Sequence, residues 1–449
     1  MRYLQKIKLL SNQQSRRSRR RSNQATASHK IPGAPPPPPS PPWLASQLRS
    51  KSSQSHGGEE GFRDPRGRAH WVPETTLSTS KFNQSGMVST TAVVLLIGLM
   101  GMVYQATQLT PPPQSDPNAE EHADGSMRIR LSDGRYLAYR EKGVPRNKAK
   151  YKIILVHGFG SSKEMNFLAP EDVVVSADFQ ELIEELGICF LQFDRAGYGE
   201  SDPNPKRSVK SEALDIEELA DQLELGSKFY VIGVSMGSYP IWSCLKYIPN
   251  RQVNLLAGAA LIVPVVNYNW RSLPQSLIRD DYRRRLVQLT YLFSSYAPGL
   301  LHWWVSQQWL PSNSVLERNP VFFNPHDIEI LKKIPGFPML SKAKLVEREV
   351  FDTLRHDFLV GFGDWEFDPT DLENPFPSNT SNVHIWQGLG DRVVPFQLQR
   401  FISGKLPWIR YHEVPEGGHL IVHYSGLGEA VLKSLLLGEE PLTLNHVQP

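Results

Sequence analysis

Hydrophobic and polar positions alternate over Met127-Arg-Ile-Arg-Leu131, pause at Ser132-Asp-Gly134, and run again from Arg135 to Glu141. A period of two marks a strand with one wet face, and Ser-Asp-Gly is a hairpin turn signal. Tyr151-Lys-Ile-Ile-Leu-Val156 then reads as a strand buried on both faces, apolar but for Lys152. From there short apolar runs at 188–193, 229–234, 256–263, 383–386 and 409–414 interleave with segments of helical spacing at 178–186, 211–225, 238–248, 397–403 and 428–437. That alternation predicts an α/β protein built on a doubly wound, mostly parallel sheet. Residues 264–382 break the rhythm. They follow a strand end and are rich in aromatic residues, among them Trp270, Trp303, Trp304, Trp309 and Trp365. In a doubly wound sheet such an insert lies above the carboxyl ends of the strands, where ligands bind. The expectation is a helical cap over an apolar pocket, with most of the tryptophans packed in the cap's own small core. The core is then 127–263 together with 383–437, and 438–449 is a tail.

The first 126 residues carry none of this patterning. Residues 1–86 hold a basic cluster, Arg16 to Arg21, a proline run, Pro35 to Pro39, and no acidic residue before Glu59. They read as a disordered, basic, Pro-rich extension. Three origins compete: an organelle transit peptide, a solvated tail, or a true translation start near Met87. Met87 to Tyr104 is a different kind of segment, uncharged and largely apolar. As a helix its 18 residues span about 27 Å, enough for a bilayer's hydrocarbon core. It shows no polar face, so a single transmembrane anchor is expected there. Residues 105–126 form a Pro-rich linker. Basic residues before the anchor and acidic ones after it place the N-terminus in the cytosol and the large domain across the membrane. The glycosylation pattern Asn379-Thr-Ser suits a lumenal domain; the organelle stays open.

Composition changes the picture at two points. The net charge of +3 is a difference between a basic extension, +11 over residues 1–86, and an acidic remainder, −8. Nothing folded accompanies the basic cluster, so no nucleic-acid partner is expected. Cys189 and Cys244 fall on a strand and a helix and read as small buried apolar residues, not as a disulfide or metal pair.

The candidate chemistry centres on Phe229-Tyr-Val-Ile-Gly233-Val-Ser235-Met236-Gly237. A strand, a sharp turn with serine at its tip and then a helix form the setting of a nucleophile elbow. Glycines at 233 and 237 are expected because a Cβ two residues either side of the serine would strike its neighbours. A serine hydroxyl is a weak nucleophile at neutral pH and needs a base, which needs an orienting carboxylate. Gly388-Leu-Gly-Asp391 and Gly417-Gly-His419 supply them, each just past a strand end. His423 is the rival base and Asp364 the rival acid. Val156-His157-Gly158-Phe159-Gly160 follows the third strand, and the backbone N–H groups of Phe159 and Met236 are the expected oxyanion donors. No metal or organic cofactor is called for.

The chain from about Met127 to Leu437 resembles the α/β-hydrolase superfamily. The residues that carry the likeness are the His157-Gly158 loop, Asp194-Arg-Ala-Gly-Tyr-Gly-Glu-Ser201, the Ser235 elbow, Gly388 to Asp391 and Gly417 to His419. In that family the Asp194 to Ser201 segment is structural, shaping the turn beside the active site. With the anchor and the Pro-rich stretch, the chain looks like a membrane-anchored plant member. The resemblance implies a serine hydrolase acting on an ester-type acyl bond, with Ser235, His419 and Asp391 as triad. The cap and anchor point to a small apolar or lipid-like substrate. An acyltransferase on the same triad and a non-catalytic receptor are the alternatives. Epoxide hydrolases and dehalogenases place a carboxylate where this chain has Ser235.

Overall fold

The computed structural model describes residues 96–100, 127–165, 177–249, 255–306, 322–333, 338–376 and 382–440. The extension, the linker, residues 441–449 of the tail, Trp309 and Asn379 lie outside the described residues. So does most of the expected anchor: residues 96–100 are helical and exposed, and the remainder of 87–104 is not described. Among the described residues no helix is long and apolar enough to cross a membrane.

Among the described residues eight strands form one sheet. In chain order they are β1 (Met127–Arg130), β2 (Tyr136–Gly143), β3 (Tyr151–Val156), β4 (Ile188–Phe193), β5 (Lys228–Val234), β6 (Leu255–Ile262), β7 (Val383–Gly388) and β8 (Ile409–Val414). Their spatial order is β1-β2-β4-β3-β5-β6-β7-β8. β1 and β2 form the antiparallel hairpin the turn signal anticipates, with Gly134 at φ +92, and β2 is antiparallel to β4. Every later pairing is parallel.

The fully apolar strands are apolar because both faces are covered. Ile154 and Val156 of β3 enter one core with Val231 of β5. Helices α2 (Val209–Gln222), α3 (Ser238–Tyr247) and α10 (Phe396–Lys405) cover that face through Ile216, Trp242 and Leu398. Ile153 and Leu155 point the other way, into a second core closed by α1 (Ala177–Leu186) and α11 (Leu427–Leu437) through Ile183 and Val431. This is the period of two, read on two faces at once. Cys189 and Cys244 are both buried free thiols.

Helix α2 departs from the expected 211–225. It starts earlier because Ser208 caps it, accepting from Ser211 N–H while the Ser211 hydroxyl accepts from Ser208 N–H. It stops at Gln222; Glu224 turns left-handed at φ 47 and Gly226 at φ 86, so Leu225 packs as a loop residue.

Between β6 and β7 the described α-helices are α4 (Gln275–Ile278), α5 (Tyr282–Tyr296), α6 (Pro298–Ser306), α7 (Pro325–Lys333), α8 (Lys342–Val346) and α9 (Arg348–Phe362). Trp270 and Trp365 stack edge to face, 5.3 Å between ring centroids, and pack against the main core. Trp303 and Trp304 depart from the expected inward packing and stand 47% and 44% exposed. Helix α6, which carries them, buries Pro298, Gly299 and His302 instead.

Candidate active site

Parallel strands deliver their carboxyl ends to one edge, and the candidate residues all come from that edge. Ser235 follows β5 directly, Gly158 follows β3 by two residues, Asp391 follows β7 by three and His419 follows β8 by five. Ser235 sits at φ +52, a left-handed conformation costing on the order of 1–3 kcal/mol for a residue with a side chain. The turn is held by its neighbours. A Cβ at Gly233 would overlap the Gly237 carbonyl and Ile241, and one at Gly237 would overlap the Val156 and His157 carbonyls. Val265 N–H donates to the Ser235 carbonyl at 3.3 Å.

The three side chains meet. The Ser235 hydroxyl and His419 Nε2 are 2.9 Å apart, and His419 Nδ1 lies 2.9 Å from Asp391 Oδ2. Oδ1 of Asp391 accepts from the N–H groups of Val393 and Val394, and Oδ2 also accepts from Gln387 Nε2. The carboxylate is thus fixed on four sides, and the imidazole is set with Nδ1 protonated and Nε2 free to accept from the serine. Burial, the largest influence on His419, lowers its pKa; the charge and hydrogen bond of Asp391 and the charge of Asp327 outweigh it, so the net shift is upward from 6.5. The glycine turns let the β7 and β8 loops touch: Gly390 N–H donates to Gly417 O at 2.7 Å, and a Cβ at Gly388 would overlap the Gly417 and Gly418 carbonyls.

Of the rivals, His423 ends a short 3-10 turn, Ile421–His423, and lines the pocket while His419 holds the serine. Asp364 lines a separate cavity with Asn204 and His356.

Gly158 packs its Cα against the elbow: a Cβ there would be 3.1 Å from Val234 O and 3.4 Å from Ser235 Cβ. Phe159 and Met236 line the same pocket as Ser235. His157 does not face the pocket chemistry. Its Nδ1–H donates to Gly158 O at 2.9 Å, and Nε2 accepts from Arg195 N–H at 3.1 Å. Burial and the neighbouring Arg195 hold it well below the ordinary histidine range, so it is a neutral brace between two loops.

Two acids that sequence reasoning missed reach the site from the insert. Asp327, at the start of α7, is fully buried; Oδ2 accepts from His419 N–H at 2.9 Å and Oδ1 from Leu420 N–H at 2.8 Å. A Cβ at Gly418 would overlap its carboxylate, which gives that glycine a reason. Asp357, on α9, is equally buried and grips Arg195 with both oxygens, at 2.5 and 2.7 Å. Arg207, Tyr198 and Tyr239 complete its shell. Burial works to raise the Asp357 pKa, but Arg195 and Arg207 reverse the sign and hold it below the usual range. Arg195 Nε in turn donates to His157 O, so the Asp357 network ends on the loop that carries Phe159. The only sequence signal for Asp327 was the helix-start pattern Asn324-Pro-His-Asp327.

Above Ser235 lies a cavity of about 540 Å³. Its floor includes Phe159, Met236 and His419, and its roof Val287, Leu354 and Phe358. Among the described residues no group of three or more His, Cys, Asp or Glu stands close enough to hold a metal ion.

A doubly wound sheet with a serine on a strained strand-to-helix turn, and with histidine and aspartate delivered by later strands, defines a hydrolase-type fold. A family model described as "Alpha/beta hydrolase family" matches residues 153–431, and the chain belongs to that family. A search of the curated proteins found no match. Among solved structures the chain is similar to an esterase from Exiguobacterium antarcticum, at 18% identity over 65% of this chain and 91% of that one, TM-score 0.43. It is similar to a thermophilic esterase from Thermogutta terrifontis at 21% identity over 66% and 91%, TM-score 0.38. It is also similar to the enol-lactonase from Burkholderia xenovorans LB400 at 14% identity over 64% and 90%, TM-score 0.43. At such identities none of the three speaks to substrate.

Proposed function

We propose that the protein is a serine hydrolase that cleaves an ester-type acyl bond in an apolar, lipid-like substrate. The observation that supports this best is the continuous relay from Ser235 through His419 to Asp391, opening into a cavity walled by apolar side chains. Ser235 attacks the acyl carbon as its proton passes to His419 Nε2. The buried Asp391 stabilises the imidazolium and keeps it in register. The N–H groups of Phe159 and Met236 hold the tetrahedral oxyanion, each worth a few kcal/mol in a low-dielectric pocket. His419 then protonates the departing alcohol, and the same base activates water to release the acid.

The test is labelling by a fluorophosphonate probe together with turnover of an ester panel graded by acyl length. Wild type labels and turns over the longer chains, and Ser235→Ala does neither. A folded wild-type protein that neither labels nor turns over any ester overturns the reading, and transfer to an added alcohol in preference to water redirects it to acyl transfer. The transmembrane anchor over residues 87–104 stays part of the proposal, supported by the sequence alone. Extraction of the full chain by detergent but not by alkaline carbonate is the expected result.

A further inference from the structure

Helix α5 is amphipathic in an unusual sense. Its inner side, Val287, Thr290 and Ser294, roofs the cavity. Its outer side carries Leu286, Leu289, Phe293 and Tyr296, spaced by three, four and three residues, with Leu292 beside them. That spacing is one stripe of a helix. The stripe faces solvent: Leu289 is 54% exposed, Leu292 50% and Tyr296 72%. On the adjoining α6, Trp303 and Trp304 extend the same exposed surface. Soluble proteins seldom leave such a contiguous set of large apolar side chains in water without a use for it.

Two further observations say what covers it. The first is charge. Arg279 to Arg285 carries four arginines against Asp280 and Asp281; Arg283 pairs with Asp281 at 2.8 Å and lines the cavity, so the helix start keeps a net positive charge, with Arg285 exposed, in a folded part of the chain that is acidic overall. Leucine and aromatic residues along one side, with arginines at one end, suit an interface of acyl chains and anionic headgroups, where tryptophan and tyrosine also settle. The second is position. Leu286 and Trp304 are exposed and also line the cavity above Ser235. The exposed stripe and the substrate pocket therefore share a rim.

We infer that the outer side of α5 and α6 docks on an anionic lipid surface, so that a lipid-like ester passes from the bilayer between these helices to Ser235 without crossing water. The docking stands on the surface alone; the delivery step rests on the hydrolase reading.

The test uses the full-length chain and the double variant Leu289→Glu/Leu292→Glu. Neither leucine lines the cavity, so the pocket is left intact. Two substrates separate the effects: monomeric p-nitrophenyl butyrate, and a long-chain acyl ester carried in vesicles of phosphatidylcholine and phosphatidylglycerol. The variant is expected to keep butyrate turnover within about twofold and to lose vesicle turnover by about tenfold or more. Brominated lipid in the same vesicles should quench a tryptophan signal that Trp303→Phe/Trp304→Phe lacks, more strongly as the phosphatidylglycerol fraction rises. Equal vesicle turnover by the charged variant, or quenching identical with and without the two tryptophans, overturns the inference. So does a wild-type dimer that the charged variant converts to monomer with no change in quenching, since the stripe is then a self-interface. If wild type hydrolyses neither substrate yet the quenching is as expected, the docking holds and the hydrolase reading fails.

Discussion

The two walls of the pocket are built by different means. The sheet wall places chemistry through backbone: Ser235, Asp391 and His419 each sit a few residues past a parallel strand, and glycines let their loops approach. The insert wall supplies apolar side chains, yet it also sends two buried carboxylates back into the sheet wall. Asp327 holds the backbone of the histidine loop, and Asp357 holds Arg195 and through it the loop that carries Phe159. An insert that only covered a pocket would have no use for either. The insert of this protein is therefore part of the frame that holds Ser235, His419 and Asp391 together.

That contrast sets the size of the expected effects. Ser235→Ala, on the sheet wall, should lower kcat/KM by roughly 10⁴-fold or more with little change in thermal stability, checked by steady-state kinetics and calorimetry. Asp357→Asn, on the insert wall, should act in the opposite sense. It leaves two buried arginines, Arg195 and Arg207, with Glu212 as their one remaining carboxylate and should cost about 3–5 kcal/mol of stability in a denaturant titration. A loss within experimental error of zero means the insert is not anchored through this residue. Asp327→Asn removes a charge but keeps a carbonyl oxygen, so one of the two backbone donors at His419 and Leu420 can stay paired. A cost of about 1–3 kcal/mol for the other is expected, with kcat lowered and KM nearly unchanged. An increase in KM alone would instead make Asp327 a pocket-shaping residue.

The smallest effect is on pH. His419 must be neutral to accept the serine proton, and its pKa is raised, so kcat/KM should fall as pH drops through a midpoint above 6.5. Asp327→Asn removes one of the charges that raise it and should move that midpoint downward. The linkage to stability has the opposite sense. A raised pKa in the folded state favours folding below the unfolded value near 6.5, and that contribution is lost as pH rises through the folded value. The active protein thus works where this increment is gone.

Local pattern was enough for the sheet wall. Each strand announced itself by runs such as Tyr151 to Val156, and the rule that parallel strands end on one edge brought Ser235, Asp391 and His419 together before any coordinates. The insert wall resisted the same reading for a physical reason. Asp327 begins a helix and reads as a capping residue; that its carboxylate meets an amide 92 residues away depends on how α7 docks on the β8 loop. Trp303 and Trp304 have the composition of a core and stand in solvent, because helical periodicity says which residues share a side and not which side is covered. Sequence alone therefore determined the sheet, the Ser235 turn and the strand ends that carry Ser235, Asp391 and His419, since each depends on contacts between near neighbours and on a general rule of strand direction. Only the folded chain decided which carboxylates brace the site and which apolar side faces outward, since both follow from the packing of helices distant in sequence.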